Sequence, residues 1–501
     1  MNNWLDNLGF DLEKIKSLFV YNPNEPMIFN SGFFMFLFFA FVIAYTALKK
    51  RTTPRLIFVT LFSYYFYYKS SGFYFFLLGI VTVSDFLLAQ WIARTTKKYL
   101  RRIFLATSVC IGLGLLAYFK YFNFFGTAFA EMVNGNFQPS DIFLPVGISF
   151  FTFQSLSYTI DVYRRNVEPL NNILDYAFFV SFFPQLVAGP IVRARDFIPQ
   201  IRQPLKITGE MIGTGIYFIM CGLFKKAIIS DYIGVNFVDR IFENPSLYSG
   251  IENLFGIYGY GLQIYCDFSG YSDMAIGIAL LLGFKFNINF DSPYKSASIQ
   301  EFWRRWHISL SSWLRDYLYI SLGGNRKGKI RTYINLFITM LLGGLWHGAN
   351  WNFIIWGALH GMALAVHKFF GFVFNIGKSK ISQPNAWRRR IGVLVTFHFV
   401  MFAWIFFRNT SLEDCSTMLS QIFGNFQPQI IWQMLSGYKF VFMFILIGYV
   451  LHFLPAKTEN YFKNKFVNTS LIFKAVVMII LIYLIIQIKS SDVQPFIYFQ
   501  F

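Results

Sequence analysis

The sequence predicts an all-α protein that crosses a membrane many times. Of its 501 residues, 55% are hydrophobic and 21% are aromatic, and 65 are phenylalanine. A soluble domain does not need that much apolar surface, so the composition indicates a polytopic membrane protein. Apolar segments follow one another from about residue 30 to residue 488 without a soluble insert. We therefore expect one membrane domain of about 12 transmembrane helices.

The net charge of +19 raises the question of a nucleic-acid partner, but the placement of the charges argues against it. Lys and Arg gather in short loops between apolar runs, as in Lys49-Lys50-Arg51 and Arg388-Arg389-Arg390. This is the positive-inside pattern of membrane proteins, and no nucleic-acid reading motif accompanies it. The predicted partner is the lipid bilayer, with no nucleic acid. The four cysteines are scattered, so we predict neither a disulfide framework nor a metal site.

The predicted elements fall into three regions. Residues 1–28 form an interfacial amphipathic segment, with a short helix over residues 10–20. Residues 29–488 form the transmembrane domain, and residues 489–501 form an extracytoplasmic tail. The predicted spans are 30–48, 55–69, 72–93, 103–123, 144–165, 208–228, 250–284, 332–347, 351–375, 391–408, 437–455 and 469–488. Basic loops after the first and third spans place those loops in the cytoplasm and both termini outside.

Two parts of the membrane domain depart from a plain apolar span. Residues 144–165 carry polar side chains at a density that predicts contact with a cavity or another helix. Residues 174–204 are interrupted by Pro184, Gly189 and Pro190 after too few apolar residues to cross a membrane. We expect a re-entrant segment there, because irregular backbone at membrane depth is tolerated only beside protein or a water-filled cavity.

The candidate site residues cluster in a basic, cytoplasmic region over residues 285–331 and in the span that follows. An amphipathic helix is predicted over 299–322 and should stop at Gly323-Gly324-Asn325. It contains His307, which the sequence alone favours as an interfacial histidine beside Trp303 and Trp306. The loop after it is basic and rich in glycine. It is equally compatible with binding the phosphates of an acyl donor and with an ordinary positive-inside turn.

His347 is a different case, because it ends an apolar run at membrane depth. An ionisable side chain there is costly and is a functional hypothesis by default, although a histidine satisfied by hydrogen bonds in a bundle fits equally well. Glycines at 343, 344 and 348 predict room for a chain to approach the ring. Neutral imidazole can accept a proton from an attacking hydroxyl. His360 and His367 are interpreted as structural, since a metal site would need further ligands.

Five segments, in this order, resemble the membrane-bound O-acyltransferase family, and in particular its bacterial alginate and peptidoglycan O-acetylation branch. They are LPVGISFFTFQSLSYTIDVYR (144–164), FFPQLVAGPIVR (182–193), YCDFSGYSDMAIG (265–277), FWRRWHISLSSWLRDYLYISLGGNR (302–326) and LLGGLWHGANWNFIIWG (341–357). Together they cover the middle half of the chain. The resemblance implies a helical bundle of about a dozen spans around a central funnel or tunnel.

The resemblance also implies roles for particular residues. The WHG histidine, here His347, is the catalytic residue, and the WRRWH histidine, here His307, is the second site residue. The tail FIYFQF resembles a terminal F-x-Y-F-x-F motif of bacterial members in which the tyrosine, here Tyr498, carries the acyl group. On composition alone the tail would be an interfacial aromatic belt. The candidate donor-binding residues are Arg304, Arg305, Asn325 and Arg326.

The implied function is that of an acyltransferase in the bacterial cytoplasmic (inner) membrane, with acetyl-CoA or an acyl carrier thioester as donor and no permanently bound cofactor. We expect an acetyl group to cross the membrane through Tyr498 for O-acetylation of an exported polysaccharide or peptidoglycan. An extracytoplasmic SGNH/GDSL-like transferase is the expected partner. The alternatives are teichoic acid D-alanyl transfer from a carrier protein and, from another class, a transporter. Asp267 and Asp273 would suit a transporter, but no internal repeat is visible.

Overall fold

The structure, a computed structural model, describes residues 12–23, 25–373 and 385–488. These residues form helices and connecting turns with no strand among them, which confirms the predicted all-α class. The chain divides into two compact units. The first comprises Met1–Met211 and Ile278–Phe286, and the second comprises Ile212–Gly277 and Asn287–Phe501.

The helices are numbered in chain order. They are α1 (Leu12–Phe19), α2 (Gly32–Ala47), α3 (Thr52–Ser71), α4 (Phe75–Arg94), α5 (Lys98–Leu116), α6 (Phe122–Met132), α7 (Ile148–Tyr163), α8 (Ile173–Ser181), α9 (Phe183–Leu186), α10 (Ala194–Ile201), α11 (Gly209–Leu223), α12 (Asp231–Ile233), α13 (Asp239–Glu243), α14 (Gly250–Leu281), α15 (Ile299–Arg305), α16 (Ile308–Trp313), α17 (Lys329–His347), α18 (Trp351–Val373), α19 (Ala386–Arg408), α20 (Leu412–Gly424), α21 (Ile431–Gly437), α22 (Lys439–Phe453), α23 (Ala456–Val467) and α24 (Leu471–Ile488). Short π-helical turns extend α5, α11, α12 and α16.

Six helical runs in the described part of the chain are long and apolar enough to cross a membrane, or seven if the bent pair ending in α22 counts as one. They are Thr52–Arg94, Lys98–Met132, Gly209–Glu243, Trp351–Gly371, Ala386–Arg408 and Leu471–Ile488. The chain is therefore a multi-pass membrane protein. The predicted count of about 12 is not confirmed. One reason is that the run Thr52–Arg94 contains two predicted spans, and another is that α2 has only 16 residues.

The break predicted within residues 174–204 is observed in the first unit. Helix α8 ends at Ser181, α9 lasts four residues, and a non-helical stretch follows until α10 begins at Ala194. Phe183 anchors this segment with its ring centroid 5.1 Å from that of Phe62 and 5.5 Å from that of Phe41. The irregular backbone is thus covered by protein, as burial in a membrane requires.

Helix α7 is buried on almost every side, as its polar side chains predicted. Gln154, for example, donates from Nε2 to the carbonyl oxygen of Phe179 at 2.7 Å. At the start of α7, Gly147 has φ +74°, and a Cβ there would lie 2.7 Å from the carbonyl oxygen of Leu186. Only glycine lets the helix begin so close to the broken segment.

In the second unit, the structure corrects the predicted span 208–228. The helix does not end at Lys225 and Lys226, because it continues through π-helical turns as a single run from Gly209 to Glu243. Lys225 Nζ lies 2.7 Å from a carboxylate oxygen of Asp273. Lys226 forms ion pairs with Asp267 and, at 2.8 Å, with Asp231. The lysines are tolerated inside the helix because buried carboxylates on the same run and on α14 neutralise them.

Replacement of Lys226 by methionine is expected to destabilise the fold by about 3–5 kcal/mol, because it leaves Asp267 and Asp231 buried without their cation. The matched control is Arg315→Met, which removes an ion pair with Asp316 whose arginine side chain is 63% exposed; the expected loss is at most about 1 kcal/mol. Thermal unfolding of the two purified variants in detergent distinguishes them. Equal midpoints would contradict the assignment of Lys226 to a buried ion network.

Candidate active site

The predicted helix over 299–322 is interrupted at its histidine. Helix α15 ends at Arg305, His307 adopts the left-handed conformation with φ +44° and ψ +56°, and α16 begins at Ile308. A non-glycine residue in this region is uncommon and marks a strained or functional position. The amide of Ile308 donates to the carbonyl oxygen of Asn289 at 2.9 Å, which supports the broken backbone. The prediction of one continuous amphipathic helix is therefore wrong at this point.

His307 is fully buried, which also corrects its predicted interfacial position. Its ring packs edge-on against Phe268, with centroids 4.6 Å apart, and lies 6.2 Å from the ring of Trp346. Its Nδ1 is 3.2 Å from Oδ1 of Asn289. Burial lowers the pKa of His307 to about 3, so its imidazole is neutral near pH 7.

His347 is the last residue of α17 and is 2% exposed. Three aromatic rings surround its imidazole at centroid distances of 5.0–5.1 Å: Trp346, Trp356 and Phe407. The ring of Trp346 contacts both His307 and His347. We call the rings of Trp346, Trp356 and Phe407 around His347 the aromatic layer, and the structure brings both predicted histidines to it.

The glycines around His347 have a different role from the predicted one. A Cβ on Gly344 would collide with the carbonyl oxygen of Phe353 and lie 3.0 Å from Cα of Gly357. A Cβ on Gly348 would enter the ring of Phe353. Gly344 therefore lets α17 and α18 pack backbone against backbone, and Gly348 leaves room for the ring of Phe353. Gly343 is the exception, since its nearest neighbour is the tip of the Leu314 side chain at 3.1 Å.

His360 lies one aromatic ring beyond His347. Trp356 separates them, with its centroid 4.7 Å from His360 and 5.1 Å from His347. The indole Nε1 of Trp303 donates to Nδ1 of His360 at 3.3 Å, which satisfies one nitrogen of this buried ring. His360 thus joins the two histidine-bearing segments, consistent with a structural role.

A cavity of about 680 Å³ opens beside this aromatic layer. Its exposed wall carries the cationic side chains of Arg304, Arg315 and Lys368, and its buried wall includes Trp303 and Met340. An apolar interior with a basic mouth suits a ligand that has an apolar or neutral arm and an anionic head. Trp303 is both a wall of this cavity and the hydrogen-bond partner of His360.

The structure divides the four predicted donor-binding residues into two pairs. Arg304 and Asn325 line the cavity. Oδ1 of Asn325 accepts hydrogen bonds from Tyr319 and, at 2.8 Å, from Lys368. Arg305 does not line it, since its guanidinium is held at 3.0 Å by both Asp291 and Glu301. Arg326 is exposed and lies outside the cavity wall.

Several lining residues were not predicted, although their spacing carries a signal. Positions 308, 311, 315 and 319 line the cavity and follow the three- and four-residue spacing of the helical run after the break, whereas Arg304 lies on α15 before it. On α18, positions 364, 367, 368 and 371 follow the same spacing, so His367, interpreted above as structural, lies in the cavity wall. Tyr498 and the rest of the predicted tail lie outside the described residues. No group of His, Cys, Asp and Glu within the described ranges has the arrangement of a metal site.

Comparisons with known proteins cover the part of the chain that contains this site. The family described as MBOAT, membrane-bound O-acyltransferase, matches residues 149–412. A probable alginate O-acetylase AlgI of Pseudomonas putida is 36% identical over 505 residues, which are 95% of this chain and 100% of that protein. A peptidoglycan O-acetyltransferase of Helicobacter pylori is 37% identical over 429 residues, 79% of this chain and 80% of that protein. A teichoic acid D-alanyltransferase of Bacillus subtilis is 31% identical over only 54% of this chain and 70% of that protein.

Gly344→Ala is expected to destabilise the protein by about 1–3 kcal/mol, because the added methyl group meets backbone that cannot move aside. Gly343→Ala is the matched control one residue away. Its methyl group meets only a flexible leucine tip, and alanine favours the helix by up to about 1 kcal/mol, so little net change is expected. Thermal unfolding in detergent measures both variants. Similar midpoints for the two would contradict the close packing of α17 on α18.

Proposed function

We propose the donor, the route and the acceptor of the acyl group that this protein transfers. The chain belongs to the membrane-bound O-acyltransferase family and is a membrane acyltransferase. The donor is an acetyl thioester that enters from the cytoplasm, and the final product is an O-acetylated exported polysaccharide or peptidoglycan. The observation that carries this proposal is the cavity with a basic mouth, whose inner wall belongs to the aromatic layer around His347 and His360.

Acetyl-CoA fits the chemistry of this cavity. Its phosphates are matched by Arg304, Arg315 and Lys368 at the mouth, since charged hydrogen bonds to phosphate are strong and directional. Its pantetheine arm is neutral and extended, and it suits the less polar interior formed by residues such as Trp303 and Met340. An acyl carrier protein would present the same arm with a single phosphate, so the number of cationic side chains favours the free coenzyme.

The transfer step uses His347 as a general base. It removes the proton of the Tyr498 hydroxyl while the phenolic oxygen attacks the thioester carbonyl carbon. The new carbon–oxygen bond forms, the carbon–sulfur bond breaks, and the imidazolium returns the proton to the leaving thiolate. A phenol with a pKa of about 10 is easier to deprotonate than a sugar hydroxyl. The resulting aryl ester keeps much of the transfer potential of the thioester.

The need for such a relay follows from where the reactants lie. A CoA thioester is highly charged and does not cross a bilayer, whereas the acceptor polymer is outside the cell. The acetyl group alone therefore passes through the protein of the bacterial cytoplasmic membrane. An extracytoplasmic SGNH/GDSL-like transferase then takes it from Tyr498 and esterifies the polymer. This final step is assigned to a partner because no serine-hydrolase signature occurs in the sequence.

The two alternatives are less well supported. Teichoic acid D-alanyl transfer is favoured only by the relatives of that name, which match about half of this chain. A transporter was suggested by Asp267 and Asp273, but each of these carboxylates is paired with a lysine in the second unit. Their presence inside the helices is therefore explained by ion pairing, and the family membership is that of an enzyme.

His347→Ala and Tyr498→Phe are both expected to abolish transfer of labelled acetyl from acetyl-CoA to the C-terminal peptide of the purified protein. The first variant loses the base, which contributes about 10²–10⁴-fold, and the second loses the hydroxyl that receives the acetyl group. Label on the isolated C-terminal peptide is the measurement. His398→Ala removes an exposed histidine that does not line the cavity, so it serves as the control and should retain labelling. Full labelling of the His347 variant would rule out its role as base.

Arg304→Ala is expected to raise the half-saturating concentration of acetyl-CoA about tenfold with little change in maximal rate. The reason is that a charged hydrogen bond to phosphate contributes about 1.5–3 kcal/mol, and for the exposed Arg304 we expect the low end of that range, where about 1.4 kcal/mol is tenfold. Arg326→Ala removes an equally exposed cation that does not line the cavity, and its half-saturation should change less than twofold. Labelling rates over a range of acetyl-CoA concentrations provide both values. An equal effect of the two substitutions would place the donor elsewhere.

A further inference from the structure

Asn289 is a buried amide, 1% exposed, that contacts the helix break at His307 through several hydrogen bonds. Its Oδ1 accepts from the backbone amide of Ser309 at 3.1 Å and from the Ser309 hydroxyl at 2.9 Å, and it lies 3.2 Å from Nδ1 of His307. Its Nδ2 donates to the hydroxyl of Ser272 at 3.2 Å. Asn289 has no place in the acyl-transfer steps described above, and a buried amide with this many partners needs a reason.

These contacts fix the tautomer of His307. A backbone N–H can only donate, so the atom of Asn289 that faces Ser309 must be its oxygen. An amide oxygen can only accept, so Nδ1 of His307 must carry the hydrogen in order to bond to it. The Ser309 hydroxyl gives its hydrogen to the same oxygen, and its own oxygen is 3.4 Å from Nδ1. These contacts with Asn289 and Ser309 therefore favour the Nδ1–H form.

We propose that Asn289 is a positioning residue that holds His307 in the Nδ1–H tautomer, so that Nε2 is the nitrogen that accepts a hydrogen bond during acyl transfer. This inference rests on the proposed function and adds to its site His307, whose ring contacts the same Trp346 ring as His347. It decides between two roles for that histidine. With a lone pair on Nε2, His307 accepts a proton or orients a hydroxyl or thiol. It does not donate a hydrogen bond to the thioester carbonyl.

The backbone at the break supports the same assignment. The amide of Ile308 donates to the carbonyl oxygen of Asn289 at 2.9 Å, and the amide of Asp291 donates to the carbonyl oxygen of Arg305 at 2.9 Å. The segment that carries Asn289 is thus bonded to both sides of the break, so the distance from its amide to the imidazole is set by backbone contacts. Since His307 is neutral, its tautomer, and not its charge, determines what Nε2 can do.

The test uses the full-length protein in lipid nanodiscs with radiolabelled acetyl-CoA, followed as a single turnover of label onto the chain. Asn289→Ala is expected to lower the maximal rate by about 10- to 10⁴-fold. The upper bound is the loss in a serine protease whose catalytic histidine is held in the wrong tautomer. The half-saturating acetyl-CoA concentration should stay within about twofold. Asn289→Asp keeps an acceptor oxygen for Ser309 and His307, and it should retain at least about one fifth of the rate.

The aspartate variant also gives a readout that a purely structural role would not change. A carboxylate beside His307 raises the pKa of the imidazole. His307 must be neutral to accept a proton, so the acid limb of the rate–pH profile should move to higher pH by about one unit or more. Asn253→Ala is the matched control, since Asn253 is equally buried and donates to the carbonyl oxygens of Pro245, Tyr248 and Ser249 without touching a histidine. It should leave the rate and its pH profile unchanged in correctly folded protein.

His307→Ala separates the failure of this inference from the failure of the proposed function. If His307→Ala is inactive while folded Asn289→Ala transfers at the normal rate, Asn289 is not the positioning residue and the proposed function stands. If His307→Ala is fully active while His347→Ala is inactive, this inference fails and the proposed function stands. If His347→Ala is fully active, the proposed function itself fails. A folded Asn289→Asp that is as slow as Asn289→Ala would also overturn the tautomer assignment. The double variant Asn289→Ala/His307→Ala should be no slower than His307→Ala alone, because the two residues act as one unit.

Discussion

The close approach of α17 and α18 is the constraint on which the candidate site depends. Gly344 and Gly357 let the two helix backbones touch, and a Cβ on Gly357 would lie 2.5 Å from the carbonyl oxygen of Met340. This contact sets the end of α17, and with it His347, against Trp356 on α18. An aromatic layer then forms around the imidazole, which is 2% exposed. A residue larger than glycine would separate the helices and loosen every contact that the layer makes.

A second feature is that Lys226 and Asn289, two buried polar side chains, each have several polar partners inside an apolar protein. Lys226 is neutralised by two carboxylates, and Asn289 serves three hydrogen-bond donors with one oxygen. An unmatched polar group in such surroundings costs several kcal/mol. The ion pairs and the hydrogen bonds of the Asn289 side chain therefore fix the relative positions of segments that apolar contacts alone would not fix. The two histidines differ in this respect, since His307 is held by an amide and His347 is enclosed by rings.

The cavity and the aromatic layer meet at helix α17 and at Trp303. Helix α17 contributes Met340 to the cavity wall and ends in His347. Trp303 lines the cavity and donates a hydrogen bond to His360. The ring of Trp356 contacts both His360 and His347. One short path of aromatic contacts thus connects the basic mouth of the cavity to the buried imidazole.

Local sequence signals predicted much of this fold. Hydropathy gave the all-α membrane class, Pro184 and Gly189 marked the broken segment, and the polar density of residues 144–165 predicted a buried helix, which α7 is. The span boundary at residue 228 was wrong because the lysines look like a helix end until their carboxylate partners are known. The number of spans was not confirmed, because length and hydropathy do not show where a long helical run bends.

Through the family resemblance, the sequence by itself predicted that His307 and His347 are site residues, and its hydropathy predicted apolar helices around His347. The tertiary structure decided the rest of the candidate site. It placed a left-handed break at His307, brought Asn289 to it from 18 positions earlier, and turned the glycines around His347 into packing surfaces. It also placed Arg304 and Asn325, but not Arg305 and Arg326, in the cavity wall. Periodicity reports which face of one helix is apolar, whereas a hydrogen bond or a close backbone contact depends on which segments meet, and only the folded chain specifies that.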